Sequence, residues 1–171
     1  MKYFTHKILA PAALVLVAFS GLSLAADNPT SIITISGSVV SKTCSFDSTS
    51  HSVILDEISV GEFTDNSIKA PRQFPISISC GSGVQSVEII PSGEPDPNDS
   101  TAFRNTASAE NVGLRLHDDN NQVLSPQGSS VTVIPDNGSG SYMFTAGYVA
   151  TGDDIIEGGF SSMVNLEFKY D

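Results

Sequence analysis

The sequence predicts an all-β sandwich, and three observations carry that expectation. Apolar residues recur with a period of two in many short runs, spaced about ten residues apart. Turn-forming clusters rich in glycine, proline, asparagine and aspartate separate these runs. No stretch of convincing length carries a helical period. Short strands in this number fold as two packed antiparallel sheets joined by Greek-key connections.

The first 25 residues stand apart from the fold. Lys2, His6 and Lys7 make a basic start, residues 8–24 are apolar but interrupted, and Ser23, Ala25 and Ala26 are small. This is the pattern of a secretory signal peptide, cleaved after Ala25 or, as the alternative, after Ala26. The interruptions and the cleavage-like site weigh against a membrane anchor. All 19 acidic residues follow this segment, whereas Lys2 and Lys7 leave with it. Six bases then face 19 acids, a net charge of −13. So acidic a chain will not hold nucleic acid through its phosphates. Cys44 and Cys80 are the only cysteines, and in an exported protein their default state is one disulfide. It would stabilise by about 3 to 4 kcal/mol in the chain-entropy model.

The stretch on which the chain turns is residues 30–44, T-S-I-I-T-I-S-G-S-V-V-S-K-T-C. Ser31, Ile33, Ile35, Gly37 and Val39 alternate on one face, and the other face is small and polar apart from Ile32. No short turn joins this strand to a partner, so it reads as a strand made for another molecule. Further strands are expected at residues 52–56, 74–80, 84–90, 111–117, 130–134 and 142–151, with a proline-rich acidic loop at 91–100. Residues 54–63 have room for a short helical turn, and residues 105–110 favour neither state. The last run, 160–170, alternates most cleanly. Phe160, Ser162, Val164, Leu166, Phe168 and Tyr170 share one face. Its apolar row has nothing after it in sequence to cover it, and an uncovered edge needs a partner. Strand addition between molecules satisfies both orphan strands.

These residues resemble the type 1 fimbrial pilins of the chaperone–usher pathway in Gram-negative bacteria. The resemblance covers the whole mature chain. It rests on I-x-G-x-V-V-x-x-x-C at Ile35, Gly37, Val39, Val40 and Cys44, on the interval to Cys80, on Gly158 fourteenth from the end, and on a final aromatic strand with penultimate Tyr170. It implies an incomplete immunoglobulin-like sandwich, residues 42–171, that lacks its last strand. It implies that residues 26–41 are a donor-strand extension whose face is Ser31, Ile33, Ile35, Gly37 and Val39. It also implies an acceptor groove, gripped by a periplasmic chaperone, at Gly158, Phe160, Val164, Leu166, Phe168 and Tyr170. The implied partners are other pilin subunits, that chaperone and an outer-membrane usher, and the implied site is the cell surface. Asp171 after Tyr170 departs from the pattern and adds a second negative charge beside the terminal carboxylate.

Other chemistries find little support. His51 and His117 are the only mature histidines, and no G-x-S-x-G elbow places a serine for catalysis. No catalytic, metal or cofactor site is expected. Residues 118–122, D-D-N-N-Q, lack the glycine and glutamate of a calcium loop and read as a solvated turn. A lectin-like subunit binding a host-surface receptor is the alternative function, with Tyr142 and Tyr148 the aromatics to test, although their alternation reads more simply as core.

Intact-mass measurement of the periplasmic protein should give a chain beginning at Ala26 or Asp27 that gains two protons on reduction. An earlier start, or two free thiols, would contradict the export reading.

Overall fold

A computed structural model describes residues 34–37, 43–48 and 50–171. The chain divides into two units, Met1–Gly37 and Ser38–Asp171. The signal peptide, most of the proposed extension and its residues Ser31, Ile33 and Val39 lie outside the described residues. In the first unit, residues 34–37 adopt no regular structure, and Ile35 is 91% exposed. A strand was expected here. An alternating sequence without ladder partners has no hydrogen bonds to hold it extended.

The described residues of the second unit form an antiparallel two-sheet sandwich of eight strands: β1 (Cys44–Phe46), β2 (Lys69–Cys80), β3 (Val87–Ser92), β4 (Val112–His117), β5 (Val123–Leu124), β6 (Val131–Val133), β7 (Ser139–Ala150) and β8 (Asn165–Tyr170). One sheet has the order β1-β2-β7-β4-β5, and the other has β6-β3-β8. The period of two explains the packing. Ile76 and Ile78 of β2, Phe144 and Ala146 of β7, and Leu114 and Leu116 of β4 point inward from the first sheet. Val87 and Ile89 of β3 and Val131 and Val133 of β6 meet them from the second. Phe103, from the loop before β4, is wholly buried among them. A fully buried side chain of this size contributes about 1.5 to 3 kcal/mol relative to exposure.

The expected strands near residues 74–80, 111–117, 130–134 and 142–151 are all present, and β2 and β7 run longer than expected. The short helical turn is Val60–Glu62. Four boundaries differ. Residues 52–56 form no strand, although Leu55 still packs against the core, Val53 is half-buried and Asp56 ion-pairs with Arg72 of β2. Pro71 and Pro75 remove two backbone donors from β2, and a bulge between Lys69 and Arg72 offsets its edge, so a regular ladder cannot continue there. The strand expected at 84–90 is shifted to Val87–Ser92 and takes in the first residues of the expected loop. β5 was not anticipated, because its two residues are too few for a periodicity. The final strand begins at Asn165 rather than at residue 160.

Two turns rest on glycine for different reasons. Asn137 and Gly138 both have positive φ, and Asp136 and Ser139 exchange backbone hydrogen bonds across them, which is the twist of a tight hairpin. A Cβ on Gly138 would also sit 2.6 Å from the Cys80 carbonyl oxygen. Gly128 has a similar φ of +80°, but nothing lies within 4 Å of a Cβ there. Gly128→Ala should therefore cost only the conformational penalty, about 1 kcal/mol, and Gly138→Ala clearly more. Parallel urea unfolding of the two variants would check this, and equal losses would contradict the clash.

Candidate functional site

The second sheet ends abruptly. β8 pairs with β3 along its whole length, from Val87↔Tyr170 to Ser92↔Asn165, and among the described residues has no strand on its other side. The residues before it continue the same alternation. Phe160, Val164, Leu166 and Phe168 turn inward against the core, yet all four are only half-buried. Ser161, Met163, Asn165, Glu167 and Lys169 face water. Phe168 meets Phe46 of β1, ring centroids 4.1 Å apart, and Phe160 stands edge-on to Tyr148 at 4.8 Å. This apolar row and the backbone edge of β8 turned away from β3 outline a candidate cleft, with that edge as its rim. The opposite wall is anchored by the Cys44–Cys80 disulfide, which joins residues directly paired between β1 and β2.

The expected groove residues thus fall in two groups. Leu166, Phe168 and Tyr170 lie on β8, with Tyr170 40% exposed at its outer end rather than turned inward. Gly158, Phe160 and Val164 precede β8 in a segment outside the sheet with no regular structure, although its burial alternates from Phe160 on. Gly158 matters through a neighbour that the sequence did not single out. A Cβ on it would lie 2.6 Å from the Ala109 backbone nitrogen and 2.7 Å from Ser108. Among the described donor-face residues, Ile35 is exposed and Gly37 has nothing within 4 Å of a Cβ. Ser162 also faces inward, and its hydroxyl is buried without a hydrogen-bond partner.

The two tyrosines weighed for sugar binding are already engaged. Tyr142 stacks obliquely on Phe144 and donates its hydroxyl to Asp119, and burial followed by that carboxylate pushes its pKa up to about 12. Tyr148 packs on Phe160, and burial raises its pKa first, with Asp56 and Glu57 adding to the effect. In the acidic turn, Asp118 accepts the backbone N–H groups of Asn120 and Gln122, and Asn121 reaches His117 Nδ1. Among the described residues no cluster of three or more histidine, cysteine or acidic side chains is arranged to hold a metal.

The pattern of the fimbrial protein family matches residues 33–171. The chain belongs to the fimbrial protein family. It is 25% identical over 179 residues to the probable major fimbrial subunit LpfA of Escherichia coli O157:H7, covering both chains in full. Its fold is that of the P pilus rod subunit PapA, with a TM-score of 0.63 at 17% identity over 75% of this chain and 99% of that one. A subunit in the structure of a chaperone–usher pilus is similar too, with a TM-score of 0.62 at 16% identity over 84% of this chain and 96% of that one. This fimbrial protein is a structural pilus subunit exported to the cell surface.

Two substitutions in the cleft wall should have opposite signs. Ser162→Ala removes a buried hydroxyl that has no partner, and should be neutral or stabilising by up to about 1 kcal/mol. Gly158→Ala drives a methyl group into backbone and should destabilise by about 1 to 3 kcal/mol. Thermal melts of both variants would check this, and a stable Gly158→Ala protein would remove the steric reason for glycine there.

Proposed function

We propose that this fimbrial subunit polymerises by strand donation. The N-terminal extension of one subunit lies along the open edge of β8 in the next and covers the apolar cleft with Ser31, Ile33, Ile35, Gly37 and Val39. Before assembly a periplasmic chaperone lends a strand to the same cleft, and an outer-membrane usher presides over the exchange. The role is structural rather than catalytic. The observation that carries the reading is β8 itself, a strand with a half-buried apolar face, one ladder partner and a bare edge. The exposed, alternating sequence around Ile35 is its counterpart in chemistry.

The energies suffice. Burying Ile33, Ile35 and Val39 contributes about 1.5 to 3 kcal/mol each. Each new ladder hydrogen bond adds about 0.5 to 1.5 kcal/mol. The total is on the order of 10 kcal/mol before ordering costs, comparable to the stability of a whole domain. Assembly then needs no nucleotide, because it completes folding that the single chain leaves open.

Parity is the test. Only one set of alternate residues can enter the cleft. Ile35→Asp should abolish the polymer ladder that survives detergent without boiling, since a charge in an apolar slot costs several kcal/mol. Ser36→Asp should leave the ladder intact, and Gly37→Leu should abolish it by overfilling a shallow site. Equal damage from Ile35→Asp and Ser36→Asp would rule out docking as an alternating strand.

A further inference from the structure

The cleft is longer than the strand that forms its rim, and the loop at residues 105–109 accounts for the difference. β3 stops pairing at Ser92. At Gly93 the chains cross so closely that a Cβ would lie 3.0 Å from the Met163 carbonyl oxygen and 2.8 Å from the Phe103 ring. Beyond that crossing β3 cannot support the final segment, and the loop takes over. Ser161 N–H donates to Asn105 Oδ1 at 2.9 Å, and the Ser161 carbonyl accepts from Thr106 N–H at 2.7 Å and from Thr106 Oγ1 at 3.0 Å. Gly159 N–H donates to Ser108 Oγ at 2.8 Å, and the Gly159 carbonyl accepts from Ala109 N–H at 2.9 Å. Every backbone polar group of Gly159 and Ser161 is therefore taken up by the loop.

In an extended chain, alternate residues point their backbone groups to opposite sides. Saturating residues 159 and 161 on the loop side turns the N–H and C=O groups of Phe160 and Ser162 the other way, and among the described residues neither has a backbone hydrogen bond. Asn105 holds the loop in this shape. Its Oδ1 also accepts Ala107 N–H at 3.1 Å, and its Nδ2 donates to the Ala109 carbonyl at 2.7 Å. The close approach of Gly158 to Ser108 and Ala109 belongs to the same arrangement.

We infer that loop 105–109, through Asn105, acts as a stand-in strand behind residues 158–161 and so extends the strand-accepting edge from β8 to Phe160. This rests on the strand-donation reading above. Asn105 is a positioning residue: it touches no incoming strand, but it fixes the backbone and the Phe160 ring that the strand meets. The loop adds free ladder positions at Phe160 and Ser162 and makes the far end of the cleft depend on a side-chain network rather than on a sheet.

Hydrogen–deuterium exchange of the full mature chain, before and after polymerisation, tests this. Peptic fragments covering residues 158–164 and 165–171 should both slow at least tenfold in the polymer. Slowing confined to 165–171 would overturn the extended edge while leaving strand donation intact, and slowing in neither would overturn strand donation itself. In Asn105→Ala the slowing at 158–164 should fall to within threefold of the monomer, while that at 165–171 persists. Asn105→Asp keeps the acceptor oxygen for Ser161 and Ala107 and should restore part of the protection. Wild-type protection at 158–164 in Asn105→Ala, with the ladder intact, would refute the role of Asn105. If that variant does not fold, Ser108→Ala, which removes only the partner of Gly159 N–H, should weaken protection at 158–164 alone, and full protection there would refute the loop's role.

Discussion

The structure depends on an unpaired backbone edge. A β-strand presents polar groups on both sides, and a sheet edge leaves one side to solvent or to another chain. Most edges are short, charged or covered. β8 is none of these on its inner aspect, where Phe160, Val164, Leu166 and Phe168 run in file beside it. Charge is confined to the outer face, where Glu167 and Lys169 stand in water and pair with each other. Backbone and side chains therefore ask for the same missing partner. In the strand-donation proposal an added strand would satisfy both together, and the cost of the open edge in a single subunit would drive assembly.

The opposite wall solves a different problem. β1 pairs with β2 through only three residue pairs, Cys44↔Cys80, Ser45↔Ser79 and Phe46↔Ile78. At about 0.5 to 1.5 kcal/mol per hydrogen bond, so short a ladder is weakly held. The disulfide lies at its first pair and contributes about 3 to 4 kcal/mol in the chain-entropy model. Phe46 can then meet Phe168 across the cleft floor as a fixed surface. Charge plays a lesser part. Lys69, Arg72, Arg104, Arg115 and Lys169 are each paired with an acid, so the remaining carboxylates give the described surface a single sign. Mutual repulsion of that kind favours solubility and opposes random association.

What could be read from the chain follows from which interactions are local. The parity of residues 160–168 was legible, because a period of two survives whether or not the ladder forms. Strand ends were not, because they depend on partners far away in sequence. The final strand starts late because β3 ends at Ser92, and residues 52–56 lose their ladder because two prolines and a bulge sit across from them in β2. Cys44 and Cys80 were legible from compartment chemistry alone. Tyr170 shared the inward parity but sits at the last turn of the rim, where the sandwich no longer covers it. Residues 105–110 carried no period. Their importance lies in side-chain hydrogen bonds to a segment about fifty residues away, which no local pattern encodes.

Gly158 joins these strands of argument. In the sequence it was one mark among several of a family resemblance, with no physical content of its own. In the structure it is the point where the extended chain presses against Ser108 and Ala109, closer than any side chain allows. Beside that approach, Gly159 and Ser161 direct their backbone groups to the loop, as Phe160 and Ser162 do not. On the strand-donation proposal, a glycine outside the sheet would thus set how much of the edge is available to an incoming strand. If subunits join by strand donation, the length of the ladder, and with it the stability of the joint, would be decided at a position that no incoming strand need touch.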